Sequence, residues 1–450
     1  MIYILFLAIA IYVTMYYMLT WDRPAVALLL ILAAAPFQTD VSGGGGFARF
    51  SLAEVNLALA IPLILVRSKR VRLGPSAFPI GLYLIVCVLS ALQSPRDTTV
   101  TSILQMILYF YVAVAVFSTL AKSPDDYVPA MWGLLWVGAA LSIAGMATNF
   151  FLPGMNKNGI GASLSVVFLV ATELWFRGYT ARAKLRLGIL FSIVTAGLLL
   201  SLSRGAWLGA MLGVLVLFTL RQQLKIVVRF AIVALPVIWL GWGFVPAEKR
   251  EYALGFDKSR YNIAARYDSV EYANMQWQRN SLLGSGVGLR KEYDATNIVM
   301  LTLAETGILG FISFFSIQIV LLAALYKAQV GLPRSDPLFS LLALGGALTV
   351  ARIGHGMVDH YWSRGAITVA WSSVGMSTYA LSALRARRRV ARAEQARELI
   401  AWRQGALAEM HNQRLRPLIT PRAETHSGER RYGDAAFNDA SRGISSPESV

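Results

Sequence analysis

The residues best suited to chemistry cluster late in the chain. In Gly354-His355-Gly356-Met357-Val358-Asp359-His360-Tyr361-Trp362-Ser363-Arg364-Gly365, two histidines, an aspartate and an arginine fall between positions 355 and 364. Histidine or aspartate can take a proton from a hydroxyl, and Arg364 can hold a phosphate through its guanidinium fork. An aromatic belt at a membrane surface accounts for Tyr361 and Trp362 but not for His355, Asp359 and His360 together. Those three could also approach a metal ion, but their spacing matches no metal motif and no metal is assigned.

Other charged positions lie beside apolar sequence. Ser203-Arg204-Gly205 joins two apolar blocks with almost no loop, which puts Arg204 at or within a membrane boundary; an unpaired charge there costs up to about 2.5–3.5 kcal/mol. Either it anchors a phosphate, with Ser203 and Gly205 letting a ligand approach the backbone, or it snorkels to water. Farther on, Ile263, Tyr267, Val270, Ala273 and Trp277 form an apolar stripe at helical spacing, with Asp268, Glu271 and Arg279 on the opposite face. Arg266 falls beside the stripe and needs an anion: an acidic lipid-linked substrate, or Asp257 or Asp268 as a structural partner. Gly284-Ser285-Gly286-Val287-Gly288 lacks the strand and helix of a dinucleotide site, so a tight turn packed near the membrane is expected. Glu305, in the apolar stretch after Thr296-Asn297, is a buried partner for Arg204 or Arg266, or else an interfacial helix residue.

An apolar scaffold has to hold these groups. Of 450 residues, 56% are apolar and 15% charged, and the mean hydropathy is +0.53. A soluble domain carries about a quarter charged residues, so the chain reads as an all-α integral membrane protein. Unbroken apolar blocks exclude an outer-membrane barrel, whose strands alternate. At about 20 residues per span, residues 1–384 give about 12–13 transmembrane helices. The single cysteine, Cys87, rules out an intrachain disulfide, and residues 1–20 lack the features of a cleavable leader.

The net charge of +17 comes from short basic clusters between apolar blocks, which is the pattern of topology determinants and not of nucleic-acid binding. Counting spans puts the clusters at Arg67–Arg72, Arg177–Arg186 and Arg221–Arg229, and the tail from residue 385, on the cytoplasmic face. The opposite face then receives the segments around residues 38–51, 153–158, 203–205 and 355–364, with one long loop at residues 246–296. Long loops tend to be functional. The tail, residues 385–450, reads as a basic helix followed by a disordered segment, with arginines that reach anionic lipid headgroups.

Around that loop the chain resembles the O-antigen ligase and polymerase superfamily, mainly over residues 155–310. Asn156-Lys157-Asn158 is similar to that family's paired-asparagine segment ahead of a span, and Ser203-Arg204-Gly205 to its serine-arginine-glycine turn. The run from Gly284 to Gly288 resembles the glycines late in its large periplasmic loop, and Asn297, Leu301, Glu305, Gly307 and Gly310 resemble its return helix.

The resemblance implies a type C glycosyltransferase-like membrane fold in the bacterial inner membrane, with the active face and the long loop in the periplasm. It implies inverting glycosyl transfer from a polyprenyl-diphosphate-linked oligosaccharide, with no cofactor, to the next lipid-linked repeat unit, building exopolysaccharide or O-antigen. Arg204 and Arg266, with Arg364 third, would clamp the departing diphosphate; Asn156, Asn158, Asn297 and Glu305 would bind substrate. Membrane lipids and the flippase and chain-length regulator of the same pathway are the partners implied; nucleic acid is not. The family carries a histidine before the asparagine of the return helix, where this chain has Thr296. Threonine is no general base near neutral pH, which moves that role to His355, Asp359 or His360 and favours a polymerase over a ligase that transfers to another acceptor. A lipid-linked oligosaccharide flippase is the remaining alternative.

Overall fold

A backbone surrounded by hydrocarbon has to satisfy its own N–H and C=O groups, and the apolar blocks do so as helices. The computed structural model describes residues 2–37, 50–68, 71–243, 247, 250, 261–293, 295–360, 362 and 364–419, and among them no strand is present. In chain order the helices are α1 (Ile2–Thr20), α2 (Ala25–Ala34), α3 (Leu52–Arg67), α4 (Ala77–Gln93), α5 (Thr99–Thr119), α6 (Tyr127–Ala147), α7 (Lys157–Trp175) and α8 (Ala181–Leu200). There follow α9 (Arg204–Leu220), α10 (Leu224–Gly243), α11 (Tyr261–Arg279), the single turn α12 (Leu289–Glu292), α13 (Ile298–Gln329), α14 (Pro337–Gly356) and α15 (Arg364–Ile419).

Among the described residues, six helical segments are long and apolar enough to cross a membrane: α5, α6 with the turn before it, α7, α8, α13 and α14. Shorter apolar helices lie in α1, α2, α4 and α9. Large apolar side chains such as Phe78, Trp136, Ile232, Ile312 and Ile319 are exposed, as suits helices solvated by lipid. Inside, Tyr83, Phe110, Phe314 and Trp371 pack ring against ring, with Phe110 and Trp371 centroids 4.2 Å apart. The chain divides into the units Met1–Arg388 and Arg389–Val450. As far as it is described, the second is the exposed, arginine-rich end of α15; the expected disordered segment falls mostly beyond residue 419, outside the described residues.

The return helix α13 is broken, which its even hydropathy does not reveal. Gly307 has φ 63° and ψ −164°, far from helical values and in a region open essentially to glycine alone. The glycine loop closes the gap. Ile308 N–H donates to Ser281 O (2.9 Å), Leu309 N–H to Leu282 O (3.3 Å), and Ser285 N–H to Ala304 O (2.8 Å). Residues 308–329 beyond the break rise about 33 Å, enough to cross a hydrocarbon core of about 30 Å alone. A side chain at Gly307 would also collide with the Leu282 backbone. Gly307→Ala is therefore expected to cost at least about 1–3 kcal/mol, seen as a lower melting temperature of the purified protein. Gly178→Ala is the control, because a methyl there meets open space.

One basic residue counted as a solvated loop charge is buried instead. Arg221, the C-cap of α9, is 5% exposed and forms an ion pair with Glu173 of α7. It also donates to Ser340 Oγ (3.2 Å) and lies over the rings of Phe176 and Phe339. Burial with a carboxylate explains Arg221 fully, so Lys225 and Arg229, both exposed, carry the charge of that cluster.

Candidate functional site

The site is built where α9 begins. Leu202 adopts φ +50° and Ser203 an extended conformation, so α8 turns into α9 within three residues, and Trp207 Nε1 ties the turn down by donating to Leu198 O (2.8 Å). Gly205, Gly209 and Gly213 then form one stripe along α9, and small residues at four-residue spacing let helices approach closely. The stripe faces α14. A methyl at Gly205 would sit 2.9 Å from Cδ2 of His355 and 3.0 Å from Cβ of Asp359; one at Gly209 would sit 2.9 Å from Ala351 O. The glycines thus bring the start of α9, with half-buried Arg204 as its first residue, against the end of α14.

That end differs from the expected open loop. α14 runs through Gly356, so His355 lies in its last helical turn and is 2% exposed. Asp359 follows, also 2% exposed, its N–H donating to His355 O (3.0 Å). Asp359 Oδ1 accepts the His360 N–H (2.8 Å), and Oδ2 lies 3.4 Å from Arg266 Nη2 and 4.0 Å from His355 Nε2. The last distance suits an electrostatic contact but is too long for a hydrogen bond. Arg266 Nη1 donates to Val358 O (3.0 Å), and the buried Arg352 donates to His360 O (3.0 Å).

Arg266 comes from α11, whose buried face runs through Ser269, Ala273 and Gln276 while Tyr267 is 56% exposed. The inward face is thus rotated from the predicted stripe, and Arg266 points into the protein. Its partner is Asp359, not Asp268, which is exposed, or Asp257, which lies outside the described residues. Four of the five expected catalytic residues, Arg266, His355, Asp359 and His360, therefore meet directly, and the fifth, Arg204, adjoins them through Gly205.

Of the expected substrate-binding residues, Asn297 reaches the edge of this cluster, whereas Glu305 and Asn156 are engaged elsewhere. Glu305 is 1% exposed, but it pairs with neither Arg204 nor Arg266; its partner is Arg290. The same carboxylate accepts the N–H groups of Gly288 (3.1 Å) and Arg290 (3.0 Å). Asn297 caps α13 by accepting from Val299 and Met300 N–H, while its amide donates to Met357 O (3.1 Å). Asn156 caps α7 by accepting from Gly159 N–H (2.7 Å). Asn158 is half-buried in the first turn of α7, and the Arg364 side chain lies outside the described residues. Capping satisfies helix-end amides and needs no ligand.

Arg290 was not singled out in the sequence. Its guanidinium lies 4.0 Å over the Trp362 ring, which stacks on Tyr109, so Trp362 is an internal cation-π partner and not a membrane-belt residue. Tyr109 sits in a π-helical stretch of α5, Leu108–Ala113, and donates to the buried Glu54 (2.6 Å). Hydrophobic periodicity cannot point to Arg290, because its partners are 15 and 72 positions away. The glycine loop is a packed turn: Arg96 donates to Ser285 O, Thr99 to Val287 O and Thr98 to Gly288 O.

Among the described residues no three histidine, cysteine, aspartate or glutamate side chains converge as a metal site. No known family and no curated protein matches the sequence.

Proposed function

We propose that this protein polymerises polyprenyl-diphosphate-linked oligosaccharide repeat units at the periplasmic face of the inner membrane, through a type C-like fold of about 12–13 spans. The observation that carries the reading is the meeting of Arg266, His355 and Asp359 beside the Gly205 end of α9, next to Arg204. A hydroxyl of the incoming repeat unit attacks the anomeric carbon of the growing chain. The new glycosidic C–O bond forms as the bond from that carbon to the diphosphate breaks, and configuration inverts.

Charge develops on the departing diphosphate, so preorganised positive charge there lowers the barrier most. Arg266 suits this part: Asp359 and Val358 O hold its fork, yet 31% of its side chain is exposed. Arg204 supplies the second cation, and the attacking hydroxyl passes its proton to His360, which is half-buried where His355 is sealed. The flippase and the chain-length regulator of the pathway supply the substrate and set the product length.

Reconstitution into liposomes with a polyprenyl-diphosphate repeat unit tests the proposal. The expected product is a ladder of lengthened, lipid-linked glycans. Transfer of the glycan to a different acceptor identifies a ligase, and movement of the unchanged substrate across the bilayer identifies a flippase; either result overturns polymerisation.

A further inference from the structure

Away from this site, α6 and α8 enclose a groove of about 310 Å³, within the range of small-ligand sites. Trp136, Ala140 and Ile143 of α6 face Ile189 and Ile193 of α8 across it, with Arg186 at one end. Trp136, Ile143 and Ile189 are more than half exposed on helices long and apolar enough to span a membrane, so the groove opens toward lipid. Hydrocarbon, not water, is its natural occupant.

Arg186 decides which lipid. It lies in the second turn of α8, one helical turn after Arg182 on the same face, and both are exposed. No carboxylate among the described residues pairs with Arg186. From Arg186 to Ile193 the helix rises about 10 Å, so the basic end lies toward the start of α8 and the apolar lining runs inward from it. At that end Trp132, one turn before Trp136, donates through Nε1 to Tyr179 Oη (3.2 Å), the mixed polar and apolar surface found at headgroup level. A guanidinium at the mouth of an apolar channel matches a phosphate joined to an acyl chain.

The geometry points to a binding site for an anionic glycerophospholipid of the bilayer, with its phosphate on Arg186 and one acyl chain between α6 and α8. This site is separate from the Arg266–Asp359 cluster and does not depend on the proposed polymerase activity.

Native mass spectrometry of the purified full chain, titrated with phosphatidylglycerol or phosphatidylcholine, tests it. Wild type is expected to retain phosphatidylglycerol about fivefold better, the contribution of about one basic residue near a membrane surface. Arg186→Ala is expected to abolish the preference, Arg186→Lys to keep most of it, and Ala140→Trp, which fills the groove, to reduce retention of both lipids. Ala140 and Arg186 are exposed, so all three variants should keep the wild-type melting temperature. Equal retention of the two lipids by wild type, a preference that survives Arg186→Ala, or unchanged retention in Ala140→Trp overturns the site. Displacement of phosphatidylglycerol by an equimolar polyprenyl phosphate reassigns the groove to an isoprenoid lipid and also overturns it.

Discussion

Replacing Glu305 with alanine is expected to destabilise the protein by about 3–5 kcal/mol, because it leaves the Arg290 charge buried without its carboxylate. The side chains of Arg290 and Glu305 are 7% and 1% exposed. Burial is the largest single influence and works against the Arg290 charge, but the charge and hydrogen bonds of the Glu305 carboxylate, together with Tyr83 and Cys87, raise the arginine's pKa above its already high ordinary value. The arginine is therefore charged at any working pH and has to be paired. The Trp362 face contributes, but a cation-π contact of about 2 kcal/mol does not replace an ion pair that also receives two backbone N–H groups.

Thermal unfolding in detergent, followed by loss of the monodisperse species, measures the effect. The double variant Arg290→Leu with Glu305→Leu is expected to recover much of the loss, since removing both charges also removes the cost of burying them. A Glu305→Ala protein that melts with wild type would show that the pair does not hold the return helix to its loop.

The second large effect is on the reaction. Arg204→Lys and Arg266→Lys are each expected to slow polymer formation by roughly 10- to 1,000-fold at unchanged protein level, the range for one lost transition-state donor. Lysine keeps the charge but not the planar fork. At Arg266 the fork reaches Val358 O and Asp359 Oδ2 at once, a geometry a single ammonium does not reproduce. Initial rates in proteoliposomes, normalised to folded protein, give the ratio, and the melting temperature separates a catalytic loss from a folding defect. Wild-type rates from both lysine variants would remove the clamp from the mechanism.

Much of the scaffold is legible in the sequence, because apolar blocks long enough to span a bilayer have few alternatives to helix. The clustering of His355, Asp359 and His360 is equally visible, as they are neighbours in the chain. Their meeting with Arg266 is not: the periodicity of α11 places Arg266 beside a stripe but cannot choose between lipid and protein, and the partner lies 93 positions away. The break at Gly307 is hidden because hydropathy continues through it, and only the contacts of residues 281–285 reveal why the helix stops and restarts. The burial of Arg221 is hidden for a different reason. A charge-counting rule treats every arginine between apolar blocks as a solvated charge, whereas Glu173, 48 positions earlier, draws this one inward.

The glycine loop also sets a schedule for assembly. Its partners at Ser94, Arg96, Thr98 and Thr99 precede it by about 190 residues of chain, and Ser90 reaches still farther, to Glu305 O (2.6 Å). At a synthesis rate of about 5–20 residues per second, the turn between α4 and α5 is made some 10–40 s before the carbonyls it will bind. The return helix cannot complete its backbone pairing at Gly307 until the loop ahead of it has settled between Ser94 and Ala304. Insertion of the helices and closure of this junction are therefore separate events, and the second has to bring together a turn from the first quarter of the chain and a loop from beyond its midpoint.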